Sequence, residues 1–426
     1  MFCDFEKILE DRHKYARKLK NSSKKNMIGY MCSYTPEEII YAAGFIPVRF
    51  LSSEDNPTLA ETYMQTYYCT FSRSLLHQAL SGEIDYLDGF VTAYSCATMR
   101  LAFENLQIFG KSPYARLLYL PGIIDTPEAK EFYYKELVRF KKDMEDLSGR
   151  VITDDDLREA IKIYDENRAL TMEIFEGRKG DPPNITGKEA FTVTLSGMLT
   201  DKRDHNEMLR RLKENLSSRD ALLQSSNRLM IVGSPLDNLK MFDIIEGDGS
   251  AYVVTDDDCM CTRYIFGTTP VDYINGDPLK ALVERYLISR PPCPSKHSPS
   301  RYAECVSCPF REVSCMEMVP DPRRKLPDGY PFKKSQRMCR FRHSVKLAIN
   351  HKVEGAIIIQ QKFCDPHGFD YHHMVQAFQS AGIPSVFLEI DNVITTGTLK
   401  TRVQAFIEML EPVDYVIEPE IRTAIQ

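Results

Sequence analysis

Twelve cysteines are the residues of this chain whose types and spacing most readily suggest chemistry. The first residues are charged and have the periodicity of a helix, unlike the apolar centre of a signal peptide, so we expect a cytoplasmic protein. In a reducing compartment thiolates bind metals rather than form disulfides, which makes iron–sulfur ligation the first hypothesis. For any single cysteine the competing interpretation is a small buried hydrophobe without chemistry.

The cysteines fall into groups along the chain. Six lie where a strand or turn is predicted to end: Cys32, Cys69, Cys96, Cys259, Cys293 and Cys364. Some of these stand in short polar or aromatic contexts, YYCTFSR, AYSCATMR and KFCDPHG, whereas a packing cysteine more naturally lies in an aliphatic run. The others are Cys3, Cys261, Cys305, Cys308, Cys315 and Cys339. This grouping favours ligation over packing for the first set.

Alternating strands and helices must position these thiols. Strands are predicted over 44–51, 86–94, 115–123, 228–236, 250–258, 355–363 and 384–392, with helices between them. Such alternation is typical of parallel sheets packed between helices. We therefore expect an α/β fold with two open parallel-sheet lobes, Rossmann-like or flavodoxin-like, joined by a helical connector. The expected boundaries are 1–126 for the first lobe with its N-terminal helix, 127–225 for the connector and 226–426 for the second lobe, with an insertion at about 294–338.

The ends of the predicted strands locate the site. Ligands of open α/β sheets gather beyond the carboxyl ends of the strands. Cys96 follows such an end in the first lobe, and Cys259 and Cys364 follow two in the second, so we expect them to face each other across an interlobe cleft. In the helix TPEEIIYAAG we expect Thr35 to cap the N-terminus and Pro36 to occupy the first turn, with Cys32 just ahead of it.

Charge and composition exclude several function classes. The net charge of −6 disfavours general affinity for nucleic acid, and no apolar stretch approaches the ~20 residues needed to span a membrane. The segment IFGKSP resembles the end of a phosphate-binding loop but lacks its first glycine, so nucleotide hydrolysis by this chain is not expected. Three histidines after Cys364, namely His367, His372 and His373, are candidate proton donors, with surface or helix-packed histidine as the alternative.

With these segments identified, the sequence resembles the family of 2-hydroxyacyl-CoA dehydratases and benzoyl-CoA reductases, most closely its double-cubane cluster protein branch. The resemblance covers nearly the whole chain. It rests on GYMCSYTPEEIIYAAGFIPVRF, YYCTFSRSLLHQALSGEIDYLDGF, SCATMR, DDDCMCTRYIFG, KFCDPHGFDYHH and GTLKTRVQAFIEML.

The resemblance implies a ligand set. In dehydratase-like members three cysteines hold one 4Fe-4S cubane, which corresponds here to Cys69, Cys96 and Cys364. In double-cubane members six cysteines hold an 8Fe-9S cluster of two cubanes joined by a sulfide. The additional ligands would then be Cys32, Cys259 and Cys293, with Cys261 a competitor for Cys259.

The resemblance also implies an activity and partners. It implies a homodimer that reduces a small unsaturated substrate with low-potential electrons from a separate homodimeric ATPase, which has its own 4Fe-4S cluster. One alternative is a 2-hydroxyacyl-CoA dehydratase subunit, a lyase with a single 4Fe-4S cluster. A further alternative is a non-catalytic electron-transfer or iron–sulfur storage protein.

The insertion departs from the family pattern. It is rich in Pro, Lys and Arg, and Cys305 and Cys308 form a C-x2-C pair that is typical of half a zinc or iron–sulfur site. Cys315 and Cys339 offer further ligands, and Cys293 belongs either to this site or to the double-cubane set. The alternative is a plain loop with free thiols.

Overall fold

The computed structural model describes residues 1–110, 112–220, 222, 226–296, 340–391, 394 and 396–410. These residues form two four-stranded sheets whose strands are all parallel, with helices packed against them, as the α/β prediction requires. Within these residues no helix is long and apolar enough to cross a membrane. Cys305, Cys308, Cys315 and Cys339 of the predicted insertion lie outside the described part of the chain.

The N-terminal sheet has the strand order β2-β1-β3-β4. Its strands are β1 (Met27–Tyr30), β2 (Ile46–Arg49), β3 (Gly89–Ala93) and β4 (Ala115–Leu118). The helices in this part of the chain are α1 (Cys3–Glu10), α2 (Arg12–Ser23), α3 (Glu37–Ala42), α4 (Thr70–Ser81) and α5 (Ala97–Phe109), with a 3-10 turn at Ala60–Thr62. Every strand except β4 is fully buried along its length, because helices cover the sheet.

Strand β1 was not predicted from the sequence. It is only four residues long and contains Gly29, so it gives no periodic signal. The glycine has a packing reason, since a Cβ there would lie 2.4 Å from the Phe50 ring and 2.7 Å from Leu87. A central strand can therefore be short and glycine-containing when its neighbours fill the space.

The start of α3 corrects a second prediction. The helix begins at Glu37 with Pro36 in the N-cap position, one residue later than expected. The Thr35 hydroxyl is buried and is without a hydrogen-bond partner among the described residues, so it does not cap the helix. The local reason is that Thr35 is instead part of a turn, in which its backbone N–H donates to the Cys32 carbonyl at 2.9 Å.

A run of helices links the two sheets along the chain. These are α6 (Pro127–Ser148), α7 (Asp154–Phe175), α8 (Gly187–Gly197) and α9 (Lys202–Leu216), with a 3-10 turn at Glu176–Lys179. Thr153 and Thr186 form capping boxes that fix the starts of α7 and α8. Helix α7 packs against α9 and α3, so this helical segment is attached to the N-terminal sheet.

The C-terminal sheet has the order β6-β5-β7-β8, the same order as the first when strands are counted from the start of each sheet. Its strands are β5 (Asn227–Gly233), β6 (Ala251–Asp257), β7 (Gly355–Gln361) and β8 (Ser385–Ile390). Its helices are α10 (Lys240–Glu246), α11 (Thr262–Ile265), α12 (Val271–Asn275), α13 (Pro278–Leu287), α14 (Arg340–Asn350), α15 (Asp365–Ser380) and α16 (Thr396–Glu408). Each strand predicted from the sequence is thus confirmed within a few residues.

One apolar core joins the two sheets. It contains Phe90 from β3, Phe191 from α8, and Ile231 and Ile357 from β5 and β7, all nearly inaccessible to water. Burial of such side chains contributes roughly 1.5–3 kcal/mol each, so the core fixes how the sheets sit relative to each other. The strand ends that precede the cysteines are held by this shared core.

Candidate functional site

Three of the predicted ligands stand at the starts of helices. Cys69, Cys96 and Cys364, here called the helix-start cysteines, occupy the N-cap positions of α4, α5 and α15. Cys96 and Cys364 also follow the third strand of their respective sheets, β3 and β7. A helix N-terminus favours negative charge, so the helix dipole at each of these positions acts in favour of a thiolate.

The helix-start cysteines meet although they come from different sheets. The Cys364 thiol forms a hydrogen bond with the Cys69 sulfur. Cys96 is close enough for its charge to act on Cys69, and the charge of Cys364 acts on Cys96. In the described part of the chain, no three His, Cys, Asp or Glu side chains approach as closely as the ligands of a single metal ion.

Their pKa values follow from this arrangement. The hydrogen bond from Cys364 lowers the pKa of the Cys69 thiol, against the effect of burial, and backbone N–H groups of Ser72 and Phe71 act in the same direction. The same hydrogen bond, together with burial, raises the pKa of Cys364. Burial raises the pKa of Cys96 to about 11. Of this pair, the Cys69 thiol thus loses its proton more readily than the Cys364 thiol.

The helix-start sulfurs remain available to other partners. The backbone amides of the first turns approach them, but none of the three makes a full side-chain cap hydrogen bond. Cys96 has one further contact, since its sulfur lies 3.4 Å from the Thr98 hydroxyl. Sulfur is a weak hydrogen-bond acceptor, and its stronger interaction is with a soft metal.

Three other predicted ligands lie in loops. Cys32, Cys259 and Cys293, here called the loop cysteines, follow β1, β6 and α13 without starting a helix. The charge of Cys32 acts on Cys259, and that of Cys293 acts on Cys96. The two groups of cysteines are thus neighbours.

Lys296 lies between them. Its ammonium group feels the charges of Cys293, Cys32 and Cys96, and its Nζ donates to the Tyr94 carbonyl at 3.1 Å. Burial lowers the pKa of this lysine, while the three sulfurs act to raise it. A single buried cation therefore interacts with thiols from both groups.

The structure separates Cys259 from its neighbour Cys261. The Cys261 sulfur lies 3.6 Å from the Thr194 hydroxyl on α8, and its surroundings are Asp256 and Arg178 rather than another cysteine. Cys259, in contrast, feels the charge of Cys32. The sulfur of the competing residue Cys261 is thus in contact with a hydroxyl group of α8.

The three aspartates before Cys259 bind arginines and backbone amides. Asp256 accepts from Arg178 at 3.0 Å, and Asp257 accepts from Arg263 at 2.7 Å. Asp258 accepts from the Met260 backbone N–H at 2.7 Å. These carboxylates hold the loop that presents Cys259.

The candidate histidines lie on α15. His367 is buried, and burial together with Arg340 and Arg263 lowers its pKa well below the usual value, so it is a neutral imidazole. His373 is buried with its ring centroid 6.0 Å from that of Phe341, and His372 is exposed. The role of proton donor stays a prediction for all three.

Sequence reasoning missed the arginines around the loop cysteines. Arg49 and Arg263 act on Cys259, and Arg290 donates to the Ser33 hydroxyl beside Cys32 at 3.0 Å. Arg49 was visible as a charged residue inside the apolar run GFIPVRFL. Thiols together with surplus buried positive charge fit an anionic, thiolate-ligated group.

A cavity of about 370 Å³ opens beside the thiols. Cys96 and Cys293 lie in its wall together with Lys296, Arg340 and Phe341. The Arg340 guanidinium is held by Asp370 at 2.9 Å, which leaves Lys296 as the cation of this wall that has no carboxylate partner among the described residues. The cavity has the size of a small-molecule site with cationic groups placed next to sulfur.

Comparison with known proteins places this arrangement in a family. A family model described as 2-hydroxyglutaryl-CoA dehydratase, D-component, matches residues 32–308 and 312–410. The (R)-phenyllactyl-CoA dehydratase beta subunit of Clostridium sporogenes is 28% identical over 96% of this chain and 98% of its own length. The beta subunit of (R)-2-hydroxyglutaryl-CoA dehydratase of Acidaminococcus fermentans is 26% identical over the same shares of the two chains. A benzoyl-CoA reductase subunit of Thauera aromatica is 28% identical over 62% of this chain and 68% of its own.

Proposed function

Because the chain belongs to the 2-hydroxyglutaryl-CoA dehydratase, D-component family, we propose that it is an iron–sulfur reductase with a double-cubane 8Fe-9S cluster. The proposed ligands are Cys32, Cys69, Cys96, Cys259, Cys293 and Cys364. The observation that supports this proposal is the convergence of helix-start and loop cysteines from both sheets. Its proposed place is the cleft between the two lobes.

The donor set suits a cluster better than a single ion. Thiolates are soft ligands that favour iron–sulfur clusters and zinc, and in a cubane each thiolate binds a different iron. Neighbouring sulfurs that come from the starts of three separate helices match that requirement. When bound, the cluster would supply low-potential electrons for reduction of a substrate.

The residues of the chain would position the reactants and exclude water. Cys69 and Cys364 are buried, which keeps water from the metal ligands and helps set the reduction potential. In the cavity beside Cys96, the Lys296 ammonium group would orient a small unsaturated substrate with a polar or anionic group. The buried ammonium group also holds protons close to the sulfurs.

We propose that electrons come from a separate homodimeric ATPase with its own 4Fe-4S cluster. The relatives are named as subunits, which supports a function in a larger assembly. The sequence lacks a complete phosphate-binding loop, in keeping with ATP hydrolysis by another chain. A cytoplasmic homodimer is part of the same proposal.

A second function is favoured by a different observation. The relatives from Clostridium sporogenes and Acidaminococcus fermentans match over nearly their whole length and are named as dehydratase beta subunits. Under this proposal the helix-start cysteines alone hold a single 4Fe-4S cluster, and the chain is part of a lyase that acts on a 2-hydroxyacyl-CoA.

Metal analysis distinguishes the proposals. We expect about eight irons per chain after anaerobic purification for the double cubane and about four for the single cubane. Zinc measured in the same sample reports on the cysteines of the insertion. A chain with neither iron nor sulfide would contradict both proposals. ATP-dependent reduction of a test substrate with the partner ATPase separates an enzyme from a storage or electron-transfer protein.

A further inference from the structure

Arg49 is a buried cation without an ionic partner among the described residues. It is the last residue of β2, and only 3% of it is accessible to water. Its Nη2 donates to the Met260 sulfur at 3.5 Å, and its guanidinium group lies 5.4 Å from the centroid of the Tyr30 ring. Its Nε and Nη1 have no hydrogen-bond partner within the part of the chain that the structure describes.

Three carboxylates of this region are engaged elsewhere, and a fourth, Asp258, accepts from the Met260 backbone N–H and makes no ion pair with Arg49 among the described residues, although its Oδ2 has no partner there. Asp257 accepts from Arg263 and from the Ser344 hydroxyl, and Asp256 accepts from Arg178. Glu37 accepts from the Tyr264 hydroxyl at 3.1 Å. No ion pair joins Arg49 to any of the described carboxylates.

The thiol of Cys259 is a neighbouring group that could balance the charge of Arg49. The positive charge of Arg49 acts on Cys259, which in turn feels the charge of Cys32. Arg263 acts on the same cysteine and is already neutralised by Asp257, so Arg49 contributes the uncompensated charge. Because an unpaired buried charge is strongly unfavourable, its presence indicates an anion on the side of the loop cysteines.

We propose that Arg49 is the counter-charge of an anionic thiolate-bound cluster at the loop cysteines and acts as a positioning residue for it. This inference rests on the proposed iron–sulfur function. A buried cation next to such a group stabilises its more negative state, so Arg49 raises the reduction potential and helps retain the metal.

Arg168 provides a matched control. It is also buried, but its Nη1 and Nη2 both lie 3.0 Å from Glu38, and Asp165 accepts from Nη2 at 2.8 Å. Its interactions are complete without any added group. Replacement of each arginine by methionine removes the same charge and leaves a side chain of similar length.

The test compares metal-free and reconstituted forms of the full chain. Metal-free Arg49→Met should unfold at a higher urea concentration than the metal-free wild type, whereas Arg168→Met should unfold at a lower one. After anaerobic reconstitution with iron and sulfide, Arg49→Met should retain less iron and titrate at a more negative potential. Arg49→Lys, which keeps the charge, should recover most of the iron.

The outcomes separate this inference from the proposed function. If Arg49→Met binds iron at the wild-type level with an unchanged potential, or if its metal-free form is less stable than the wild type, Arg49 is a structural residue and the inference is wrong. Neither result would contradict the proposed cysteine ligands. If the wild type itself binds no iron, the proposed function fails, and this inference fails with it.

Discussion

The two sheets share a strand order but differ in where cysteines follow their strands. In the N-terminal sheet cysteines come after the first and third strands, at Cys32 and Cys96, whereas in the C-terminal sheet they come after the second and third, at Cys259 and Cys364. After the first strand of the C-terminal sheet stands Ser234, which lies near the Cys364 sulfur. The cysteine after the third strand begins a helix in both lobes. The cysteines after the first or second strand, Cys32 and Cys259, do not.

This difference divides the cysteines into two classes with different local surroundings. The third-strand cysteines have the same local surroundings, a sulfur at a helix N-terminus. The loop cysteines depend on neighbouring arginines instead, as Cys259 does on Arg263 and Arg49. We therefore expect the shared positions, together with Cys69 at the start of α4, to be needed for any cluster and the differing positions to determine whether there is a second cubane.

Serine substitution tests this division most strongly. We expect Cys96→Ser and Cys364→Ser to lose nearly all iron, because they remove ligands common to the single-cubane and double-cubane proposals. Cys32→Ser and Cys259→Ser should fall to about half or less. Iron and acid-labile sulfide per chain, measured after anaerobic purification, check both expectations.

Cys261→Ser is the matched control for Cys259→Ser. Its sulfur contacts Thr194 rather than another cysteine, so its iron content should equal that of the wild type. Wild-type iron in Cys32→Ser would exclude Cys32 as a ligand. Loss of iron in Cys261→Ser would return that residue to the ligand set.

Glycines in the first strands should differ in their tolerance of alanine. A Cβ at Gly233 would lie 1.9 Å from the Ile359 carbonyl oxygen, and its φ is +135°, whereas a Cβ at Gly29 would meet the Phe50 and Leu87 side chains. Backbone cannot move aside as side chains can, so we expect Gly233→Ala to cost about 3 kcal/mol or more and Gly29→Ala about 1–3 kcal/mol. Urea unfolding of metal-free protein measures both. Equal costs would contradict this difference between the two strands.

Acid should lower the free energy of unfolding through a histidine next to the helix that packs on β6. Helix α14 packs on β6, and burial lowers the pKa of His351, the residue directly after this helix, to about 4, against about 6.5 in an unfolded chain. The unfolded state therefore binds a proton that the folded state refuses, and stability falls as the pH falls below about 6.5. This histidine should account for about 1 kcal/mol of the loss between about pH 7.5 and about pH 5.5.

His351→Asn removes that contribution while keeping a polar side chain. The urea unfolding free energy of the metal-free variant should depend less on pH than that of the wild type. An identical pH dependence in the two proteins would mean that His351 titrates normally in the folded chain.

Glycine substitutions in the turns before Cys96 and Cys364 should differ least in their effect on the unfolding free energy. Phe363, directly before Cys364, has a φ of 60°, which a side chain other than glycine adopts at a cost of about 1 kcal/mol, whereas no positive φ occurs at Ser95 before Cys96. Phe363→Gly should therefore keep or raise the unfolding free energy by up to about 1 kcal/mol, and Ser95→Gly should lower it slightly. Urea midpoints of the metal-free proteins compare them, and a larger loss in Phe363→Gly would contradict the strain at this turn.

Much of the fold was predictable because its strands are apolar runs bounded by turn residues. The run GAIIIQQKF, for example, contains β7 (Gly355–Gln361) and leads directly to Cys364. Parallel order then places the strand ends, and the cysteines after them, on one side of each sheet. Strand β1 was missed because four residues around Gly29 give no pattern without their neighbours Phe50 and Leu87.

The sequence identified candidate cysteines for the site, but it did not predict the groups that surround them. The sequence could not separate Cys259 from Cys261, because their different environments depend on α8, far away in the chain. It also could not show that two nitrogens of Arg49 have no hydrogen-bond partner among the described residues, because this is a property of the packed structure. Local patterns thus identify thiols, and tertiary packing determines the charges around them.

The meeting of Cys69 and Cys364 has a consequence for biosynthesis. The two residues begin helices that belong to different lobes and lie far apart in the chain, so Cys69 emerges from the ribosome long before its sulfur partner has been translated. No group that needs both thiols can be completed on the nascent chain. Under the proposed function, the polypeptide must first bring its two sheets together, and a cluster that binds both thiols would enter a scaffold that is already folded.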